Sequence, residues 1–395
     1  MLETMSDLHA AHTPTDDHGS TSPSPTGSFT DLLVTGGAGF IGANFVHRTL
    51  HTRPDVRIVM VDAMTYAANP ANLVTTDGVP LTGAFPGRFS FLQLDIADAP
   101  KLHALISDWL NGLSATDARA AIVHFAAESH NDNSLLDPGI FARTNVEGTV
   151  NLCEAAVQHG IHLHHISTDE VFGDLALDDP ARFTVETPYA PSSPYSASKA
   201  SADHFVRAFV RSRGLSATIS NCSNNYGPRQ HPEKFIPRQI TGLIDGEKPR
   251  LYGTGDNVRD WIHVDDHNDA VWAILDAIAP QNHANLGSCP AAVENGQTFL
   301  IGANGERSNL NVVRDLLEVF GHESDDFVHV TDRPGHDRRY AIDPSSIEAL
   351  GWKPRYTDFR AGLEATVNWY RDNEQWWREA RSASEKKYRQ TEKEI

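Results

Sequence analysis

The glycine-rich turn Thr35-Gly-Gly-Ala-Gly-Phe-Ile-Gly42 constrains this chain more than any other feature, because of what stands on either side of it. Before it, Leu32-Leu33-Val34 is a short apolar run that reads as a buried strand; after it, residues 40–51 show an amphipathic helical period. Gly36, Gly39 and Gly42 follow a G-x-x-G-x-x-G spacing. Glycines there permit a tight turn, close approach to a pyrophosphate and close packing of helix on sheet, and the helix N-terminus then faces the phosphates. A bare glycine turn also occurs with no ligand, so the surroundings decide. Asp62 ends the next apolar run, Arg57–Asp62, 20 residues after Gly42. A carboxylate in that place accepts hydrogen bonds from ribose hydroxyls and repels a 2′-phosphate, which selects NAD over NADP. Asp95 closes the third run, where it can meet the adenine edge.

The alternation continues. Apolar runs at 89–95, 121–126, 162–167 and 217–221 are interleaved with helical periods at 98–111, 146–159 and 194–213. Short apolar runs separated by helices predict an α/β fold, a doubly wound parallel sheet of the Rossmann kind with both faces covered. After about residue 228 the pattern weakens, with shorter helices expected at 234–244, 265–278 and 309–320, so a smaller mixed α/β C-terminal lobe is expected to bind substrate. The predicted organisation is a disordered Ser/Thr/Pro/Asp-rich tail over 1–30, an NAD-binding domain with the catalytic residues over 31–228, a mainly substrate-binding lobe over 229–375, and a charged tail over 376–395.

The chain has 395 residues, room for one large or two coupled domains, and its 40% hydrophobic and 22% charged residues are an ordinary globular balance. A net charge of −19 repels phosphate backbones and anionic lipid, so neither nucleic acid nor a membrane is expected as a partner. An anionic small molecule stays open, since a few arginines can build a local pocket. There is no basic-then-apolar leader and no apolar stretch of about 18 residues. Cys153, Cys222 and Cys289 are few, scattered and not in metal-ligand spacing. A cytoplasmic chain with reduced thiols and no metal site is expected.

Two short motifs carry chemistry. Tyr195-Ser-Ala-Ser-Lys199 sets a phenol and an ammonium on one face at the start of a helix. A cation beside a phenol favours the phenolate and lowers its pKa toward working pH. Alone the spacing is commonplace. Behind a dinucleotide turn it marks Tyr195 as a base for a substrate hydroxyl and Lys199 as a holder of the nicotinamide ribose. The fifth strand ends in Ser167-Thr168-Asp169-Glu170. Adjacent acids at the C-terminal edge of a parallel sheet are either a solvated turn or an acid/base pair whose members push each other's pKa apart. Elimination of water needs both, a base at carbon and an acid at the leaving hydroxyl.

From Thr35 to Lys199 these strings resemble the extended short-chain dehydrogenase/reductase family. Thr168-Asp169-Glu170 narrows the likeness to its nucleotide-sugar 4,6-dehydratases, since the epimerases typically lack the pair. Val61–Asn69, Glu128-Ser129-His130, Asn145–Thr149, Ser223–Pro228, Glu233–Pro237, Val258–His267 and Thr331–Tyr340 extend it over most of the chain, and are most similar to the dTDP-glucose 4,6-dehydratases. The resemblance implies a homodimer, joined through the helices near 146–159 and 195–213, that dehydrates dTDP-glucose with retained NAD. The cofactor would touch Gly36, Gly39, Phe40, Ile41, Gly42, Asp62, Thr65, Asp95, Ile96, Ala126, Ala127, Thr144, Tyr195, Lys199 and Asn225. Tyr195, helped by Thr168, would take the C4 hydroxyl proton, Glu170 the C5 proton, and Asp169 would protonate the departing C6 hydroxyl. The substrate would be held by Ser129, Thr168, Asn224, Lys234, Phe235, Tyr252, Arg259, Arg333 and His336, with the two guanidinium groups on the pyrophosphate.

The chain departs from that pattern at Asn133, where arginine is usual, at Phe172, where tyrosine is common, and at Leu300, where an asparagine would touch the nucleotide. Residues 279–297 look inserted or altered. Two other readings stay open. One is a nucleotide-sugar 4-epimerase or another dehydratase on the same NAD site, which the Asp169–Glu170 pair and a C6 methyl in the product would separate. The other is a non-catalytic NAD-sensing regulator, against which the intact Thr168, Tyr195 and Lys199 speak.

Overall fold

The computed structural model describes residues 28–113, 119–278, 293–332 and 337–391. In chain order its first strands are β1 (Asp31–Thr35), β2 (Arg57–Asp62), β3 (Phe89–Gln93), β4 (Ala120–His124), β5 (His162–Thr168) and β6 (Ala217–Cys222). There follow β7 (Asn224–Tyr226), β8 (Arg250–Tyr252), β9 (Val258–His263), β10 (Thr298–Ile301), β11 (Glu306–Ser308) and β12 (Val328–Val330). The longer helices are α1 (Phe40–Thr52), α2 (Ala99–Asn111), α3 (Gly148–His159), α4 (Pro194–Arg213), α5 (Phe235–Ile244), α6 (Val264–Ile278), α7 (Asn309–Phe320), α8 (Phe359–Asp372) and α9 (Glu374–Thr391).

Seven strands form the expected parallel sheet, in the order β10-β6-β5-β4-β1-β2-β3. Side chains alternate along a strand, so each strand feeds both faces. Leu32 and Val34 of β1 pack with Phe45 and Val46 of α1 and Val271 and Leu275 of α6. Leu33 packs on the other side, with Leu102 and Ile106 of α2, Leu152 of α3, and Val206 and Phe209 of α4. This double burial is why the strands read as unbroken apolar runs. From β1 the chain runs outward to β2 and β3, then crosses back to β4 on the other side of β1. A crevice opens outside the carboxyl ends of strands at such a reversal.

Three expected boundaries are corrected. The N-terminal tail was expected to run to residue 30, yet Ser28 and Phe29 are buried, and Phe29 stacks on the His162 ring; the rest of that tail lies outside the described residues. The division at 228 does not separate two sequential units. The three-stranded sheet β11-β9-β7, the pair β12-β8 and helices α5, α7, α8 and α9 form the lobe, but α6 packs beside α1 and β10 pairs with β6. The physical reason is that β6 would otherwise present an unpaired edge. The charged tail is instead the helix α9, anchored by the fully buried Trp377.

Candidate active site

The turn after β1 opens into a cavity of about 1040 Å³ that spans both lobes. Gly36 adopts a φ of 72°, and a Cβ there would lie 2.4 Å from the Ala126 nitrogen. At Gly42 a Cβ would lie 2.3 Å from the Gly36 carbonyl oxygen. The fold itself demands these two glycines. Gly39 is different, since its Cβ would meet only the Gly36 oxygen at 3.5 Å. It stands on the cavity wall and begins α1 without a side-chain cap, which leaves the helix N-terminus open for a diphosphate. Asp62 is fixed at the end of β2 because its carboxylate accepts the Ala38 amide at 2.9 Å and the Met64 amide at 2.8 Å. Each oxygen keeps a second lone pair. Asp95 accepts the Ala97 amide and pairs with Arg143 at 2.8 Å. Phe40, Ile41, Thr65, Ile96, Ala126, Ala127, Thr144 and Asn225 complete this part of the wall, so the residues present fit a dinucleotide.

Thr168 ends β5, and its hydroxyl accepts the Glu170 amide at 3.3 Å, which starts the short turn Asp169–Phe172. That turn sets the two acids in different surroundings. Asp169 is 1% exposed, and burial, with the charge of Glu170, holds its carboxyl well above the usual range. Burial also raises Glu170, but an Asn131 amide bond at 2.9 Å and the charges of Lys234 and Arg259 pull it back. Burial thus raises both carboxyls, Asp169 the more strongly and Glu170 against opposing bonds and charges that favour its ionised form.

Tyr195 and Lys199 stand one turn apart on α4, whose start is fixed by the Ser193–Ser196 capping box and by Pro194. Tyr195 shares a hydrogen bond with Thr168. The lowering of its pKa by Lys199 does not occur here. Burial, then the charge of Glu170, pushes the phenol well above its ordinary value. Lys199 is itself buried and donates to the Ile166 carbonyl at 2.7 Å; burial pulls it down to about 8 against the opposing charge of Asp203.

Asn224, Lys234, Phe235, Tyr252 and Arg259 line the same cavity from the lobe side, and Ser129 lines it from the segment after β4. Lys234 donates to the Ser129 carbonyl at 2.9 Å. Arg259 donates to the Val258 and Asp337 carbonyls at 2.8 and 2.9 Å and lies over the Tyr340 ring. Arg333 and His336 lie outside the described residues, as do Cys289 and most of the altered 279–297 segment. The other departures are absorbed by packing or by a local bond. Leu300 is buried with Val171 and Ile342, Phe172 stacks on Phe183, and the Asn133 side chain hydrogen-bonds the Tyr66 hydroxyl. Cys153 and Cys222 are buried thiols, each pushed up to about 12 by burial. Among the described residues no group of His, Cys, Asp or Glu is placed to hold a metal ion, and no helix is long and apolar enough to cross a membrane.

Sequence reasoning missed several wall residues. Asn131 meets both Glu170 and Ser193 across long chain separations, and no local spacing signals it. Arg238 pairs with Glu385 of α9 at 2.7 Å, reaches the Tyr252 hydroxyl and stacks on Tyr388, whose hydroxyl donates to the Glu233 carbonyl. Ser384 and Tyr388 thereby bring α9 into the cavity wall. A signal existed here: Trp377, Ser384 and Tyr388 recur at i, i+7, i+11, one buried stripe in a charged run.

Comparison with known proteins agrees with this geometry. The family model described as GDP-mannose 4,6 dehydratase matches residues 33–366. A dTDP-glucose 4,6-dehydratase of Mycolicibacterium smegmatis is 54% identical over 91% of this chain and 98% of its own. One of Mycobacterium tuberculosis is 53% identical over the same shares. A solved dTDP-glucose 4,6-dehydratase of Streptomyces venezuelae, with NAD and TYD bound, is 41% identical with a TM-score of 0.76, covering 89% of this chain and 100% of that one. With the family model matching most of its length and such relatives covered almost end to end, the chain belongs to the nucleotide-sugar 4,6-dehydratase family, among the dTDP-glucose 4,6-dehydratases.

Proposed function

We propose that this chain converts dTDP-glucose into dTDP-4-keto-6-deoxyglucose with NAD as a retained cofactor, a lyase step in deoxysugar biosynthesis such as the route to dTDP-rhamnose. The observation that carries this reading is the split pair, a protonation-prone Asp169 and an ionisable Glu170, in one cavity with Tyr195 and the glycine-rich turn. Gly36, Gly39, Gly42 and the start of α1 would hold the cofactor diphosphate, Asp62 the adenosine ribose and Lys199 the nicotinamide ribose. Bound NAD supplies the hydride acceptor for C4 and the hydride donor for C6. Tyr195 takes the C4 hydroxyl proton, and its bond to Thr168, which favours the phenolate, works against the burial that raises the phenol. The C4 ketone acidifies the C5 proton, which Glu170 removes. Asp169 protonates the C6 hydroxyl, which leaves as water, and Glu170 returns a proton to C5. Arg259 and Lys234 favour the ionised base and face the anionic substrate.

The test is turnover of dTDP-glucose by the purified protein without added NAD, followed by mass spectrometry. A product lighter by one water is expected. A product of unchanged mass would mark an epimerase, and no product with or without NAD would leave the regulator. The reading includes a cytoplasmic homodimer packed through α3 and α4. Phe205 on α4, 42% exposed, is an apolar side chain that such a contact would cover; a monomeric mass in solution would remove the dimer.

A further inference from the structure

We infer that Asn131 is a positioning residue for proton abstraction at C5, tying the Glu170 carboxylate to the N-terminus of the helix that carries Tyr195 and Lys199. This rests on the function proposed above. Asn131 opens a short helix, Asn131–Leu136, on the cavity wall. Its Nδ2 donates to Glu170 Oε2 at 2.9 Å, and its Oδ1 accepts the Ser193 hydroxyl at 2.9 Å. The orientation of the amide is forced by chemistry: an ionised carboxylate only accepts, so the nitrogen must face Glu170 and the oxygen is left for Ser193. Ser193 is in turn the N-cap of α4, accepting the Ser196 amide at 3.1 Å while the Ser196 hydroxyl accepts the Ser193 amide at 3.0 Å. The Asn131 backbone is held as well, since Ser134 donates to its carbonyl at 2.7 Å.

The base and the helix bearing the Tyr195 phenol are therefore joined by one side chain, although Glu170 and Tyr195 come from separate elements. Asn131 occupies Oε2 and leaves Oε1 to take the C5 proton. A carboxamide suits this task because it neither gives nor takes a proton. It stabilises the carboxylate without neutralising it, as a lysine at this distance would. The other groups acting on Glu170 are Lys234 and Arg259 from the lobe, which favour its charge, and Asp337, which opposes it. Asp169, Tyr195 and Tyr340 titrate in its field.

Two variants test this. Asn131→Leu keeps the volume and removes both bonds; Asn131→Asp keeps the shape and cannot donate. In Asn131→Leu the acid limb of the kcat profile should move up by about one pH unit, the loss expected for one charge-assisted hydrogen bond, and in Asn131→Asp by more, because a second carboxylate beside Glu170 adds like-charge repulsion. On the acid side of the limb kcat in Asn131→Leu should fall by up to about tenfold, with a smaller loss on the plateau and KM within about twofold. Solvent deuterium should enter C5 more slowly by the same factor, while NADH absorbance still builds from C4 oxidation. Ser193→Ala, which cuts the tether together with the N-cap bond of α4 but leaves the bond to Glu170, should shift the limb less and in the same direction. Circular dichroism checks the fold. A loss of rate uniform across pH, or an unmoved acid limb in both folded Asn131 variants, overturns the inference. Should the wild type not dehydrate dTDP-glucose, the proposed function fails by itself. The Glu170 titration, read by infrared difference against Glu170→Gln, still decides this one: a shift of about one unit in Asn131→Leu supports it, and none overturns it.

Discussion

Asp203 is fully buried between α4 and the strands β5 and β6, and Asp203→Asn is expected to damage stability and catalysis by separate routes. Its Oδ2 accepts Ser167 at 3.0 Å, Tyr189 at 2.7 Å and Asn221 at 3.1 Å, and His165 Nε2 lies 3.2 Å from Oδ1. Burial by itself would raise its pKa, but His165, Lys199 and the hydroxyl donors hold it below the ordinary value. A depressed carboxylate stabilises the fold above its unfolded pKa of about 3.9, and that stability is lost as pH falls through the lower folded value. An amide keeps the shape but turns one acceptor into a donor among donors. Removing one side of such a buried charged network costs about 3–5 kcal/mol. The second route runs through Lys199. Asp203 is the charge that opposes its burial, so without it the ammonium falls below its present value of about 8. The alkaline limb of activity should then move down by about one pH unit. Guanidinium unfolding reads the first effect and a pH–rate profile the second. A loss under about 1 kcal/mol would refute the network argument, since that is the worth of one ordinary hydrogen bond. An unmoved alkaline limb would refute the link to Lys199.

Gly42→Ala sets a Cβ 2.3 Å from the Gly36 oxygen, backbone against side chain, so α1 must shift. Retained NAD, measured after gel filtration, should drop at least about tenfold, one such step being about 1.4 kcal/mol. Glu170→Gln should let NADH absorbance accumulate from dTDP-glucose while mass spectrometry finds no loss of water; full turnover would take Glu170 out of its role. The wild-type rate should follow a bell in pH, falling in acid as Glu170 takes a proton above the ordinary glutamate range and in alkali as Lys199, held at about 8, loses its own. Trp377→Ala removes a fully buried indole at a cost of about 3–5 kcal/mol. Limited proteolysis should then release α9 first and KM for the nucleotide sugar should rise; cleavage elsewhere first would contradict the anchoring role.

Much of the fold was legible because its signals are local. Pro194 and Gly214 bracket a helical period in the sequence, and the structure uses Pro194 in the first turn and Gly214 at a φ of 69° to end the same helix. Two strands were read too long for an informative reason: Asp95 and Ala126 lie past the last ladder pairs, on the cavity wall. A strand near Ile301 was expected from the resemblance, but it was not placed in the parallel sheet, because Thr298–Ile301 is four residues whose meaning depends on the edge of β6. In the site, Thr168–Glu170 and Tyr195–Lys199 were readable as contiguous strings. Asn131 and the Arg238–Glu385–Tyr388 cluster were not, since each is made by chain segments far apart. The misjudged phenol has the same origin. Spacing places Lys199 near Tyr195 but cannot reveal that both are buried or that the Ile166 carbonyl holds the ammonium.

The return of the chain to β10 also bears on how the molecule is made. β6 receives its outer partner only when Thr298 pairs with Ile219, after the α5 and α6 segments have been translated. At a synthesis rate of about 5–20 residues per second, a nascent chain carries that uncovered edge for several seconds. The edge is a row of unpaired amides and carbonyls flanked by buried-type side chains, a template for strands of neighbouring nascent chains. A fragment ending near residue 228 would keep that edge for good, so expressed alone it should aggregate.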